Sequence, residues 1–336
     1  MVRIACDTSR LDLQRPAGPA VYALAVLEAL RSTGQAEIID ATQDREAEVI
    51  LSLDGRFRAR PGRRTVTAIL DLGHLLERGG YTPRRWLAQN WRVASASRRS
   101  DHLLAPSAAV QVGLERYLGV PAERITVFEA RPAPEFRRRP REEVEALRRR
   151  FGLPERYLLF VGSRSRRKNL GLLARAWEIA RRRLASELGS ESGGELGLVL
   201  AGPGRGGVAG ARDLGYVDRA LLPPLLSGAL AWLNPSLYEG SAVGALEAVS
   251  CGAPPLVAAT GASPRAVGRA GITLDPHDPD AWAEAMVAVV GEQELRAALV
   301  AAGLKAASEL RAEGPQAGAL LAAIEGRPAG VQARPR

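Results

Sequence analysis

Cysteine, histidine and lysine are scarce in this sequence. Its two cysteines, Cys6 and Cys251, stand far apart with no CxxC or metal-ligand spacing, which excludes a disulfide framework and a thiolate metal site and predicts two buried, reduced thiols. Aromatic residues make up 5% of the chain and few stand in its arginine runs, so an array of stacking platforms for nucleic acid is missing and no nucleic-acid partner is expected. No apolar run approaches the roughly 18 residues that span a bilayer. The opening MVRIACD lacks the basic-then-apolar layout of a signal peptide, so a cytoplasmic protein is expected.

Arginine, by contrast, is abundant. The formal net charge is +9, and residues 1–151 hold about 26 arginines against about 19 acidic residues, so roughly +7 of it falls in the first half. The runs RFRARPGRR (56–64), PRRW (83–86), SRRSD (97–101) and FRRRPR (136–141) carry the excess. Two readings fit: a solvated, arginine-biased surface, or a face that rests on anionic lipid at the inner side of a membrane. The remaining composition, 46% apolar and 25% charged over 336 residues, is that of a globular protein with two domains of about 150 residues each.

The first half alternates strand-like and helix-like segments. VRIACD (2–7) reads as a buried strand, and a loop with Pro16, Gly18 and Pro19 leads into the helical spacing of AVYALAVLEAL (20–30). Further strands are expected at 48–53, 64–70, 101–107 and 124–130, with helices at 83–98 and 107–118. This βαβα order predicts a parallel, doubly wound sheet. A proline, a charged helix (141–151) and a Gly-Leu-Pro turn then mark a domain boundary at 152/153. A second alternating series follows, with strands at 157–162, 196–202, 213–217, 229–235 and 253–259 and helices at 169–185 and 242–251. Residues 186–196 read as a flexible loop. The expected domains are 1–152, 153–314, and a helix and tail at 315–336 that packs back on the first domain. Two such sheets would leave a cleft where strand carboxyl ends converge on a ligand.

Three motifs carry chemistry. AGPGRGG (201–207) satisfies GxGxxG after a strand, but VAGARDLGYV follows without a helix, which argues against a dinucleotide site. VGSRSRRKN (161–169) sets Arg164, Arg166, Arg167 and Lys168 at a strand's carboxyl end. Lys168 and Lys305 are the only lysines among 46 basic residues, and a compact ammonium kept at such a place suits a phosphate. The stretch SLYEGSAVGALEAVSCG (236–252) holds Glu239 in a loop and Glu247 about two turns inside a helix. The backbone N–H groups of residues 240–243, at that helix's start, favour a phosphate or sugar oxygen, and the small side chains there allow close approach. Glu247 either faces solvent or is buried against hydrogen-bonding hydroxyls such as those of a ribose.

With these motifs, the sequence resembles the family 4 retaining glycosyltransferases of GT-B architecture, in the branch of bacterial polysaccharide mannosyltransferases. The resemblance rests on YLLFVGSRSRRKNLGLLARAW (157–177), on LGYV through PPLVA (214–258) with its two glutamates separated by seven residues, and on GRAGITLDPHDPDAWAEAM (268–286). TVTAILDL, DHLLAPSAAV and LGVPAERITVFEA fit more loosely. It implies two Rossmann-like domains facing across a cleft. Lys168 with Arg164 or Arg167 would hold the donor diphosphate, and Glu247 the ribose. Glu239, with the N–H groups of Gly240, Ser241, Ala242 and Val243, would bind the sugar, and backbone at Tyr216 and Val217 would meet the base. Asp71, with Glu239, is the expected catalytic carboxylate, and Gly18 and His74 belong to the acceptor-side loops.

The resemblance has departures. The family's Phe-Gly-Leu-Pro after the first Glu-Gly is Ser241-Ala242-Val243-Gly244 here, the histidine before Asp71 is Leu70, the Asn-Gly after the first domain's last strand is Ala130-Arg131, and a glutamate is replaced by Arg265. The implied activity is metal-independent transfer of a hexose, with retention, from a nucleotide diphosphate sugar to a glycan or lipid-linked hydroxyl. GDP-mannose is the first candidate, with UDP- and dTDP-sugars as alternatives, and no cofactor is expected. The altered sugar pocket keeps open a second reading, a non-catalytic nucleotide-binding or partner protein on the same fold.

Overall fold

A computed structural model of the chain describes residues 1–16, 18–77, 81–188, 196–313 and 316–327. Most of the loop expected at 186–196 lies outside the described residues. The chain divides into two compact units, the first formed by Met1–Arg131 with Gly314–Arg336 and the second by Pro132–Glu313.

The first unit is a six-stranded parallel sheet of β1 (Val2–Asp7), β2 (Ala36–Asp40), β3 (Val49–Ser52), β4 (Arg64–Ala68), β5 (His102–Ala105) and β6 (Ile125–Val127), in the order β2-β1-β3-β4-β5-β6. Its helices are α1 (Pro19–Ser32), α2 (Gly73–Leu76), α3 (Pro83–Arg99) and α4 (Ala108–Leu118). Strands β3 and β5 are buried along their whole length, as parallel strands covered on both faces require, which is why they read as unbroken apolar runs. Proline at the first turn of α1 and α3 costs no hydrogen bond there, and in α3 the Thr82 hydroxyl accepts from the Arg85 N–H at 3.4 Å.

The second unit contains β7 (Arg156–Val161), β8 (Leu196–Ala201), β9 (Arg212–Asp213), β10 (Ala231–Asn234), β11 (Pro255–Ala258) and β12 (Ile272–Leu274), all parallel, in the order β12-β11-β10-β7-β8-β9. Its helices are α5 (Arg141–Phe151), α6 (Leu170–Leu188), α7 (Leu222–Ser227), α8 (Val243–Cys251), α9 (Ser263–Val267), α10 (Pro279–Gly291) and α11 (Gln293–Ala312); α12 (Ala317–Glu325) belongs to the first unit. One core packs α6 and α10 on the sheet around Trp177, Trp282 and Met286; another, on Tyr157, Trp232 and Val257, takes in α5, α7 and α8. Both cysteines are free and buried.

Three expectations change. The boundary falls before Pro132, not at 152/153, because Phe136 and Leu147 of the charged segment are buried in the second unit's core with Tyr157 and Leu225. The strand expected at 213–217 shrinks to the bridge Arg212–Asp213, since Gly215 takes φ +61° and Val217 turns into that same core. Strands β2 and β12 and helix α7 join the expected elements. Helix α12 packs with α1, and its last carbonyls, Ala323 and Ile324, accept from the Arg64 guanidinium at 3.2 and 2.9 Å, cation against the negative helix end.

Candidate functional site

Strand order reverses beside β7, whose neighbours are β10 and β8, and beside β1, whose neighbours are β2 and β3. Crevices at such switch points, outside the strands' carboxyl ends, are where open α/β sheets bind ligands. In the second unit the loops after β7 and β10 flank that point, and they contain Lys168 and Glu239.

The two loops are tied to each other. The Leu237 N–H donates to the Arg167 carbonyl at 2.9 Å, and the Arg167 guanidinium donates to the Tyr238 carbonyl. The turn after β11 closes from the other side: the Ala262 N–H donates to the Glu239 carbonyl at 2.9 Å, and Gly261, at φ +58°, passes so close that a Cβ there would lie 2.1 Å from that oxygen. A glycine is therefore required at 261. Held in this frame, the Glu239 carboxylate accepts from Lys168 Nζ at 2.6 Å and from the Arg167 guanidinium at 3.2 Å. Burial pushes the Glu239 carboxyl up, but Lys168 and Arg167 outweigh it and bring it down to about 2. The cluster is one carboxylate between two cations, net positive, with all three side chains mostly shielded from solvent.

Glu247 sits on α8 and is buried, which settles the open question of its orientation. Its carboxylate accepts from Arg219, whose guanidinium lies 4.5 Å from the ring centroid of buried Phe136. Burial raises Glu247 to about 6, with Arg219 offsetting only part of the cost. Helix α8 begins at an N-cap, Ala242, that supplies no side-chain oxygen, while Ser241 Oγ accepts weakly from the Val243 N–H at 3.5 Å. Gly244 lies against Trp232, where a Cβ would meet the ring at 3.3 Å.

Arg164 does not join this cluster. Its side chain is 2% exposed, donates to Asp213 at 2.8 Å and to the Gly162 carbonyl at 3.2 Å, and stacks on Phe160. The glycines of AGPGRGG explain why: a Cβ on Gly202 would fall 2.1 Å from the Gly162 carbonyl oxygen, and one on Gly204 would fall 2.8 Å from Arg164 Cβ. That motif lets the loop after β8 lie against the loop after β7, a packing role, and no helix opens after it. The Gly202 N–H donates to the Gly215 carbonyl at 2.6 Å, which sets exposed Tyr216 and buried Val217 at the end of the same loop.

In the first unit, Arg58 bonds both Asp7, the last residue of β1, and Asp54, just past β3, the latter at 3.4 Å. Asp54 also accepts from the Arg56 N–H at 3.0 Å. Gly18, at φ +47°, caps α1. Asp71 turns onto its own loop and accepts from the Gly73 N–H. His74 is 1% exposed, and neither ring nitrogen has a hydrogen-bond partner among the described residues. Burial, aided by Arg92, lowers it to about 4. Among the described residues no three His, Cys, Asp or Glu side chains come together as a metal site.

Sequence reasoning missed Arg219, Asp213 and Phe136. In a chain with 46 basic residues a further arginine carries no signal, and a phenylalanine inside FRRRPR gives no hint of the cation it meets.

Comparison with known proteins agrees with this geometry. Residues 155–292 match the family described as Glycosyl transferases group 1. The chain is 30% identical over 200 residues to the O-antigen chain mannosyltransferase B of Escherichia coli, covering 58% of this chain and 52% of that one. It is 32% identical over 246 residues to the D-inositol 3-phosphate glycosyltransferase of Thermobifida fusca (strain YX), covering 66% and 55%. The chain thus spans about half the length of the curated relatives it matches. In structure it is similar to Anabaena HepE, solved with UDP and glucose, with a TM-score of 0.69, 15% identity and coverage of 92% of this chain and 95% of that one. Parallel sheets with switch-point loops and the likeness to solved structures give this chain the GT-B fold, and residues 155–292 of its second unit match the group 1 glycosyl transferases.

Proposed function

We propose that the protein transfers a hexose from a nucleotide diphosphate sugar to a hydroxyl of a glycan or lipid-linked acceptor, with retention of configuration. The observation that carries this reading is the Lys168, Arg167 and Glu239 cluster at the β7/β10 switch point, two shielded cations on one carboxylate. A diphosphate arriving there meets Lys168 and Arg167, and the same cations stabilise the charge that develops as the nucleoside diphosphate departs. That charge stabilisation needs no metal. Glu239 and the start of α8 hold the sugar, Glu247 accepts from the ribose hydroxyls, and backbone at Tyr216 and Val217 meets the base. Arg164 acts at one remove by fixing the loop after β7 to Asp213.

Mannose is the first candidate sugar, by similarity to a mannosyltransferase. UDP- and dTDP-sugars are the alternatives, and the HepE structure with UDP and glucose supports testing the former. The acceptor is assigned to the first unit's switch point near Gly18 and Arg58, with Asp71 and His74 in the loop beyond β4. The enzyme works at the cytoplasmic face of a membrane, where the basic first unit rests on anionic lipid.

Thermal unfolding with GDP, UDP and dTDP, and with their sugar conjugates, tests the donor site. A native-state ligand at 100 times its dissociation constant adds about 2.7 kcal/mol. One nucleotide should stabilise the wild type and fail to stabilise Glu247→Ala; if no nucleotide shifts the wild type, the donor assignment is wrong. A nucleotide that stabilises the protein while no sugar is ever released from its conjugate would instead favour a binding protein on the same fold.

A further inference from the structure

Helix α3 presents an outer face unlike any other in the first unit. Arg84, Leu87, Ala88 and Trp91 recur at three- and four-residue intervals and Arg98 follows Trp91 by seven, two turns on, so they line one stripe of the helix. Leu87 is 64% exposed and Trp91 71%, the latter far beyond any other tryptophan in the protein. The opposite side is the anchored one: Val93, Ala96 and Ser97 are buried, and the Trp86 indole N–H donates to the His74 carbonyl at 2.9 Å. The helix carries five arginines (84, 85, 92, 98 and 99) and no acidic residue. Among the described residues Arg84, Arg85 and Arg98 have no acidic partner. An exposed tryptophan and leucine at the centre of the stripe, bracketed by arginines at both ends, is the pattern of a helix that lies in the headgroup region with its apolar side chains inserted.

We infer that α3 is the element by which this protein docks on an anionic bilayer, with Leu87 and Trp91 inserted and Arg84, Arg85, Arg98 and Arg99 on the headgroups. The inference rests on the reading of the first unit as lipid-facing, and it names the surface responsible. Charge complementarity selects the occupant. A protein partner with an acidic groove would match the arginines, but a continuous negative surface matches both ends of a helix of about 25 Å at once, with the apolar centre between them.

The test uses the full chain and sedimentation with vesicles of phosphatidylcholine alone or with about 30% phosphatidylglycerol, at low salt and at about 0.15 M salt. The wild type should pellet with the anionic vesicles only, and less at the higher salt. Leu87→Ser/Trp91→Ser should weaken pelleting roughly tenfold or more, and so should Arg84→Glu/Arg98→Glu, with unfolding midpoint and nucleotide-induced stabilisation unchanged in both. Trp91 fluorescence, read as wild type minus Trp91→Phe, should shift to shorter wavelength on the anionic vesicles. If the wild type ignores them, both the lipid-facing reading and the α3 inference fall. If it pellets and the Leu87/Trp91 variant pellets equally, α3 is the wrong surface while the lipid-facing reading stands. A wild-type dimer that the Leu87/Trp91 variant abolishes would assign the face to a second copy and overturn the inference.

Discussion

The two units share a parallel six-stranded sheet with a switch point, yet they charge that point differently. At β7/β10 one carboxylate, Glu239, lies between Lys168 and Arg167. At β1/β3 two carboxylates, Asp7 and Asp54, share Arg58, with Arg56 nearby. The first arrangement is net positive and the second neutral. A polyanion is attracted to the former, while the latter holds oxygen acceptors ready for hydroxyl groups. Fold topology supplies two equivalent crevices, and the proposed division into a donor and an acceptor side rests on their different ratios of cations to carboxylates.

The sharpest way to break this comparison is to remove the net positive charge. Lys168→Ala should abolish nucleotide-induced stabilisation and lower donor turnover by about 100- to 1000-fold, since it deletes a charge that in the proposed mechanism acts on the leaving diphosphate. A turnover within threefold of wild type would show that the cluster is structural. Next in size is the pH response of nucleotide binding. In the proposed role of Glu247, which is raised to about 6, the ionised carboxylate is the stronger acceptor for ribose hydroxyls, so affinity should fall as pH drops below 6, up to tenfold per unit. Calorimetric titration from pH 7.5 to 5 checks this, and Glu247→Gln should bind weakly with no such dependence.

Arg58→Ala tests the first unit's side of the comparison. It should leave nucleotide binding intact and cost about 1–2 kcal/mol of stability, less than the 3–5 of a fully buried pair because Arg58 is itself a third exposed. Denaturant unfolding with and without nucleotide separates the two effects. A loss of nucleotide affinity in this variant would erase the proposed division of labour.

What could be read from sequence follows from where the signal resides. Strands β1, β3, β5, β7 and β8 are doubly covered and so appear as apolar runs, whereas β2, AEIID at the edge of its sheet, half-buried over four residues and exposed at Asp40, has no such pattern. Helix α7 was hidden by Pro223 and Pro224, which read as a break although they occupy a first turn that needs no N–H donors. In the site, the lone lysine beside a strand end and two glutamates in an apolar stretch were visible because each was out of place in its surroundings. Arg219 and the commitment of Arg164 to Asp213 were not, because one arginine among many has no contrast. The burial of Glu247 is likewise a matter of which side of α8 meets Phe136 and Arg219, and spacing along a nine-residue helix of mostly small side chains does not decide it.

The smallest expected effect is a parting of the two units on mild acidification. In the first unit, burial lowers His74 and His102 to about 4 from an ordinary value of 6.5. Below 6.5 the unfolded chain takes up protons on these imidazoles and the folded chain does not, so the stability they contribute is present above 6.5 and lost as pH falls toward 4. In the second unit the balance differs. Glu247, raised to about 6, contributes stability at low pH that is lost as pH rises through 6, while Glu239, held at about 2, contributes stability above 4.5 that is lost only as pH falls from there toward 2. Between pH 6.5 and 4.5 the first unit therefore weakens while the second holds or gains. Amide hydrogen exchange at pH 7 and pH 5, after correction for the intrinsic rate, should show protection falling in β4 and β5 and persisting in β7 and β10. Equal loss in both sheets would mean that the histidines do not set the first unit's acid response, and His74→Phe, which keeps the ring and removes the titration, should then leave that response as it was.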